Sequence, residues 1–446
     1  MNDATPTNDT LEPPGELRIE SIVAGGDGLA RREDGCVVFV PRTIPGELVE
    51  VEYTESHKQW RRARVLRWIE QNPVRIDPPC PHYERCGGCQ LQHVKYDAQL
   101  PLKAALVSDS LKRIGKFEME PPEIAASPRE FAYRNRISLA LKPSAGGFTL
   151  GYHALDDSSR IVDIDRCTLA EEPINSVLAL LRSAWGSLAE HMPQGRELRL
   201  TFRVNSKSEA GLAIEGAREF GDPDKLLEAV DGLVSIWLLD RRGDIMHYAG
   251  EQTMDEEWGD YVLPLAGTAF IQVNRDAASL IDAYVREQAG DVSGQRIVDA
   301  YCGFGLRAFD LAREGAQVAG IDLDRYAITS AKGFALESGL SAQFEGGAVE
   351  HALKRYMPAD LIILNPPRRG LAAQVMKTLL TGRASRIIYI SCDPATRARD
   401  IKGLAERFEV ESVRAFDLFP QTAHVETVVS LKRYGQYPVA KRSSCV

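Results

Sequence analysis

Apolar and polar positions alternate in short runs over residues 16 to 70. LRIESI, CVVFVP, ELVEVEY and RRARVLRWI are separated by turn residues in GGDG, EDG and TIPGE. Short alternating runs broken by Gly and Pro predict strands, and their spacing suits a small closed barrel. Residues 72–90, NPVRIDPPCPHYERCGGCQ, carry no period and read as an irregular loop. The stretch KYDAQLPLKAALVSDSLKRIG then places Leu102, Leu106 and Ile114 at helical spacing. Between 131 and 260 the runs RISLALK, FTLGYHA, RIVDID, LRLTFRV and SIWLLD alternate with a helix near 173–190, which predicts an α+β part. From about residue 261 the pattern changes. QRIVDA, QVAGIDL, ADLIILN and RIIYIS are nearly continuous apolar runs, each followed by a helical segment. That alternation predicts a doubly wound, Rossmann-like parallel α/β sheet.

The predicted organisation is a polar tail over 1–14, a barrel over 15–72, a central α+β domain over 73–260 and an α/β domain over 261–446. Helix 95–115 is free to pack on the last of these. No apolar run approaches the length of a membrane span, and the acidic, polar N-terminus lacks the apolar segment of a secretory signal. A cytoplasmic protein is expected. The net charge of −9 argues against a broadly basic nucleic-acid binder but leaves local basic surfaces open. One such surface is the last barrel run, with Lys58, Arg61, Arg62, Arg64 and Arg67 beside Trp60 and Trp68. These residues suit phosphate contact and base stacking, or equally a solvated strand protected by charge.

The candidate chemistry sits at the ends of the predicted parallel strands, where ligands bind in open α/β sheets. Gly303 and Gly305, flanked by Tyr301 and Leu306, follow the first of them, and Asp322 closes the next, where a carboxylate can hold a ribose. The pattern D-x-x-x-G-x-G is shorter than a dinucleotide fingerprint and suits S-adenosylmethionine better, although a tight strand–helix turn would read the same way. Asn365 ends the third strand, aimed by two prolines. Cys392, in SCDPATRARD, follows the fourth. Its polar neighbours and Pro394 favour a presented nucleophile over a buried structural thiol. Glu426, in HVETV, stands inside an apolar run, where a carboxylate is costly without a task. Cys80, Cys86 and Cys89 have C-x5-C-x2-C spacing, and Cys167 follows, so the four suit either zinc or an iron–sulfur cluster.

Taken together, SCDPATRARD, HVETV, FIQVN and the cysteine spacing resemble the RNA (uracil-5-)-methyltransferase family over nearly the whole chain, in the form that modifies 23S ribosomal RNA. The resemblance implies that the barrel is a TRAM domain and that Gln272 helps hold S-adenosylmethionine. It implies that Cys392 is the nucleophile, that Glu426 is the base, and that Cys80, Cys86, Cys89 and Cys167 bind a [4Fe–4S] cluster. Tyr133, Arg134 and Asn135 would touch RNA or brace the cluster. Ribosomal RNA is the expected partner, with transfer RNA as the alternative, and a monomer is expected. Leu306, Arg307, Gly347 and Asn365 depart from the usual family pattern and remove hydrogen bonds to the methyl donor. Two other readings follow from these features. One is an amino-methyltransferase, from Asn365-Pro-Pro, although Arg368 stands where that motif has an aromatic residue. The other is a non-catalytic RNA-binding or assembly protein with a decayed donor site.

Overall fold

The structure, a computed structural model, describes residues 13–144, 147–185, 195–218, 221–240 and 244–435. Most of the polar tail, the end of the helix expected near 173–190 and Cys445 lie outside the described residues. The chain divides into two compact units. The first comprises residues 1–106, 126–277 and 417–424, and the second residues 107–125, 278–416 and 425–446.

The first unit opens with a closed barrel of β1 (Gly15–Ile22), β2 (Gly28–Arg31), β3 (Val37–Val40), β4 (Leu48–Ser56) and β5 (Trp60–Glu70), in the order β1-β2-β3-β5-β4. Alternation puts Leu17, Ile19, Val38, Val40, Val49, Val51 and Ala63 inside. The run GLAR, too short to carry a period, is a strand that periodicity does not predict. The arginines of β5 face outward but are already paired. Arg64 meets Glu52 at 2.5 Å and Arg67 meets Glu50 at 3.1 Å, both across the β4–β5 ladder, and Arg62 pairs with Asp27. The aromatic residues are engaged too: His57 stacks on Trp60 at 4.0 Å, and the Arg75 guanidinium lies 4.8 Å from the Trp68 ring centre.

Helix α1 (Tyr96–Ser110) continues as a wider turn to Gly115 and is followed by the short strand β6 (Ile124–Ala125). The central sheet contains β7 (Arg136–Ser144), β8 (Gly147–His153), β9 (Ile161–Asp163), β10 (Leu198–Val204), β11 (Ala210–Glu215), β12 (Leu233–Leu239) and β13 (Ile245–Gly250), ordered β13-β12-β11-β10-β7-β8-β9. Helices α2 (Glu172–Ala184) and α3 (Pro223–Ala229) cover it through Ile174, Leu178, Leu181 and Leu226. A hairpin, β14 (Met254–Trp258) and β15 (Tyr261–Leu265), leads to α4 (Arg275–Ala289).

The second unit is built on an eight-stranded sheet. Its parallel part is β16 (Arg296–Ala300), β17 (Gln317–Asp322), β18 (Ala342–Gly346), β19 (Ala359–Leu364) and β20 (Ala384–Ser391). β21 (Phe408–Phe416) and β22 (Glu426–Arg433) complete it, in the order β18-β17-β16-β19-β20-β22-β21-β6. The intervening helices are α5 (Leu306–Arg313), α6 (Arg325–Glu337), α7 (Val349–Ala352), α8 (Ala373–Thr381) and α9 (Pro394–Leu404). Strand order reverses between β16 and β19, the point at which such sheets open a crevice. β22 runs antiparallel to β20, pairing Ser391 with Thr427 and Ile390 with Val428. No described helix is long and apolar enough to cross a membrane.

Candidate active site

At the end of β16 the backbone turns left-handed three times in five residues: Tyr301 at φ +65°, Gly303 at +56° and Gly305 at +79°. Gly305 admits no side chain, because a Cβ there would meet the Phe344 ring at 2.5 Å. Around Gly303 no atom lies within 4 Å of a would-be Cβ, so the turn encloses an open cradle. Asp322 fixes this loop: its carboxylate accepts from Gly303 N at 2.8 Å and from Asp324 N at 2.9 Å. Asn365 is half-buried beyond β19, and its N–H donates to the Ala300 carbonyl at 3.2 Å, so the ends of β16 and β19 are tied together. Asp299, at the centre of this region, is buried with Oδ1 unpartnered. Burial pushes its carboxyl up to about 7, with Arg307 opposing and Asp322 and Asp282 adding to the rise. An open glycine cradle at the end of a parallel strand fits a ligand that the backbone must approach closely. Tyr301, Gly303, Gly305, Leu306, Asp322 and Asn365 all belong to the second unit. Gln272 belongs to the first, on the segment before α4, where Asn135 Nδ2 donates to its carbonyl at 3.0 Å.

Cys392 and Glu426 occupy neighbouring strand ends. Cys392 follows β20 and Glu426 opens β22, one step beyond the Ser391–Thr427 pair. Cys392 is half-buried, just before the N-terminus of α9, where Asp393 caps Thr396 N at 2.7 Å. Burial and the Glu426 charge push its thiol up to about 11, and Arg368 opposes them. Glu426 is 4% exposed. Burial raises its carboxyl to about 8, against Arg307, Arg397 and Arg368. A carboxyl poised near neutrality beside a thiol can take and release protons at physiological pH.

The three arginines were not read from the sequence as part of this site. Arg397 lies within SCDPATRARD, but an arginine in a helix following a strand looks like an exposed surface residue. Arg307 and Arg368 drew notice only as departures from motifs. The available signal was their spacing, each within a few residues of a strand end that carries a candidate group.

In the first unit, Cys80, Cys86, Cys89 and Cys167 line one recess, together with His82, Arg134 and Tyr152. Burial pushes the Cys86 thiol up to about 11 and that of Cys89 to about 12. Among the described residues no group of three or more His, Cys, Asp or Glu side chains is arranged as it stands to hold a metal ion. The four cysteines thus line one shared recess.

The family profile of tRNA (uracil-5-)-methyltransferases matches residues 348–434, and that of the methyltransferase small domain matches 270–387. An RNA methyltransferase of Gloeobacter violaceus is 32% identical over 438 residues, spanning 93% of this chain and 95% of its own. Another from Protochlamydia amoebophila is 32% identical over 433 residues, spanning 95% and 99%. The structure of a Pyrococcus abyssi tRNA (uracil-54, C5)-methyltransferase in complex with S-adenosyl-L-homocysteine matches with a TM-score of 0.72 at 27% identity, covering 94% of this chain and all of that one. The chain belongs to the RNA (uracil-5-)-methyltransferase family.

Within this methyltransferase one departure from the family pattern has a local explanation and another has none. Arg307 pairs with Asp282 at 2.8 Å inside the second unit. Gly347 faces open space, so the polar side chain usual there is missing without any steric reason. Tyr133 is fully buried and donates to the Pro420 carbonyl at 2.9 Å, so it braces the first unit and is not free to touch RNA. Arg134 lines the cysteine recess, and Asn135 holds Gln272. The His424 ring packs edge-on against Phe419 at 5.8 Å.

Proposed function

We propose that this methyltransferase transfers a methyl group from S-adenosylmethionine to carbon 5 of a uridine in RNA through a transient bond between Cys392 and carbon 6. The observation that carries the reading is the juxtaposition of Cys392 and Glu426 on adjoining ends of β20 and β22. Tyr301, Gly303, Gly305, Leu306, Asp322 and Asn365 are assigned to the methyl donor, and so is Gln272. The Pyrococcus abyssi relative, solved with S-adenosyl-L-homocysteine, supports that assignment. Bound there, S-adenosylmethionine supplies an electrophilic methyl group.

Carbon 5 of uracil is too weak a nucleophile to take that methyl directly. The Cys392 thiol first gives its proton to solvent water, a step Arg368 favours. Its sulfur then bonds to carbon 6, and the ring's π electrons move onto the carbonyl oxygen as an enolate. Carbon 5 takes the methyl group as the donor's carbon–sulfur bond breaks. The Glu426 carboxylate removes the proton from carbon 5. The double bond re-forms, and the bond to Cys392 breaks, which returns the thiolate. Dividing one difficult step in this way is the benefit of covalent catalysis. The target base must be unstacked to meet the sulfur.

We assign Cys80, Cys86, Cys89 and Cys167 to a [4Fe–4S] cluster. A single zinc ion would draw four sulfurs to about 2.3 Å from one point. Cys80, Cys86, Cys89 and Cys167 line one recess, and four thiolates are the donor set such a cluster takes. Ribosomal RNA is the substrate we favour. Transfer RNA is the second reading, supported by the named substrate of the Pyrococcus abyssi relative.

Mapping 5-methyluridine in ribosomal and transfer RNA from cells with and without the protein decides the substrate. Glu426→Gln should accumulate an RNA–protein adduct that survives a denaturing gel, and Cys392→Ala should lose both turnover and adduct. Turnover retained by Cys392→Ala would end the covalent mechanism. Iron and acid-labile sulfide assayed in anaerobically purified protein, with Cys89→Ser as the control, test the cluster.

A further inference from the structure

Behind the Cys392–Glu426 pair lies a buried cation to which the proposed chemistry gives no task. Arg397, on α9, is fully buried. Its Nη1 donates to Thr427 Oγ1, and that hydroxyl donates onward to the Ser391 carbonyl at 3.1 Å. Its Nη2 reaches the Val107 carbonyl at 3.4 Å, and its Nε is buried without a partner. Ser391 precedes Cys392, and Thr427 follows Glu426. The two also face each other in the β20–β22 ladder. One guanidinium therefore holds the Thr427 hydroxyl that bridges to Ser391, and these are the residues next to the two reacting side chains.

Those partners are a hydroxyl and carbonyls, all neutral. A guanidinium taken out of water with neutral partners only and one N–H unsatisfied is costly. Burial accordingly pulls Arg397 down to about 10, although Tyr389, Asp393 and Glu426 lie near enough to favour its charged form. A neutral side chain would fill the space at less cost, so the charge itself calls for a reason. Four groups act on or beside Glu426. They are Arg307 from α5, Arg368 from the turn after β19, Arg397 from α9 and the Cys392 thiol at the end of β20. Arg307 already serves Asp282, and Arg368 is exposed to solvent. Arg397 is the cation among them that is buried and held by neutral groups.

We propose that Arg397 is a positioning residue for methyl transfer: through Thr427 and Ser391 it locks the ends of β20 and β22 in register. Its charge also acts on the Glu426 carboxyl, on the carboxylate side. This deepens the assignment of Cys392 and Glu426 and rests on it.

Full-length, cluster-loaded Arg397→Met, Arg397→Lys and Thr427→Val are compared with the parent chain by kcat and KM, each against pH, and by the adduct formed in a single turnover. Arg397→Met is expected to move the rising limb alkaline by about one pH unit, as loss of a nearby opposite charge does. That is roughly a tenfold loss near pH 7, and adduct should accumulate because proton removal becomes slow. Arg397→Lys should restore most of the limb position, since it keeps the charge. Thr427→Val should leave the limb in place and lower kcat about tenfold with KM unchanged, because only the relay is broken. A folded Arg397→Met chain with the parent limb and no extra adduct overturns the proposal. If Arg397→Met does not fold, parental kcat and limb in both other variants overturn it. Cys392→Ala, run in parallel, separates the two ideas: turnover there sinks the pair itself, whatever Arg397 does.

Discussion

Glu426 sits where the proposed chemistry wants it and where folding does not. Its carboxyl rises from an ordinary 4.5 to about 8 because it is buried. Below pH 4.5 it is neutral in the folded and unfolded chains alike and costs nothing. Between pH 4.5 and 8 the folded chain holds a proton that the unfolded chain has released, so stability falls as pH rises. Above pH 8 the whole cost is present. At about 1.4 kcal/mol per pH unit, the gap corresponds to a ceiling near 5 kcal/mol. Glu426→Gln removes that cost, but Arg397 and Arg307 then lose a favourable charge, which offsets part of the gain. A net stabilisation on the order of 3 kcal/mol at pH 9 is expected, equivalent to roughly 10 °C in the melting temperature of a unit of this size. Thermal melts of parent and variant at pH 5, 7 and 9 check it. The gap between them should be small at pH 5, widen through pH 7 and be largest at pH 9, while turnover is lost throughout. A gap that does not change with pH, or a variant less stable at pH 9, would refute the reasoning.

Three further outcomes follow from the structure. Gly305→Ala should abolish binding of S-adenosyl-L-homocysteine, because its φ is +79° and the new Cβ would meet Phe344 at 2.5 Å, whereas Gly347→Ala, facing open space, should bind as the parent does in calorimetry. Lys103 and Asp417 form a fully buried pair at 2.6 Å, so Lys103→Met should cost about 3–5 kcal/mol in denaturant unfolding, and adding Asp417→Leu should recover most of it. Glu50→Gln with Glu52→Gln releases Arg67 and Arg64 from their carboxylates. RNA affinity should rise, and the slope of log affinity against log salt should steepen by about one to two, if the barrel contacts phosphates; an unchanged slope would remove the barrel from the RNA footprint.

Much of this architecture was legible because the apolar runs obeyed simple periods. QRIVDA, QVAGIDL, ADLIILN and RIIYIS became β16, β17, β19 and β20 because strands buried on both faces are apolar throughout. LRIESI and ELVEVEY became barrel strands because one face is wet. GLAR, AQFEG and AGLAIE were missed, being short or rich in Ala and Gly. The chemistry-bearing residues at strand ends were also readable, since Gly, Asp, Asn and Cys interrupt apolar runs abruptly. What one dimension could not give was pairing across the chain. The ladder that brings Glu426 beside Cys392 joins residues more than thirty positions apart. Arg397 looks like a surface residue until the sheet closes over it. The basic run on β5 is also misleading by itself, because the Glu and Asp residues that neutralise it lie on other strands.

The loop from Tyr301 to Gly305 holds three left-handed residues and is clamped by Asp322. Such backbone is settled when the chain folds, so a donor bound there, as proposed, would find its seat already shaped and lose little freedom in ordering it. The same rigidity has a cost downstream. A preformed seat grips what fresh and spent donor share, the nucleoside and the amino acid ends, and meets no part of the group that has left. Spent donor should therefore compete with its own replacement, and the pace of the enzyme comes to depend on how quickly the surrounding cell clears that by-product.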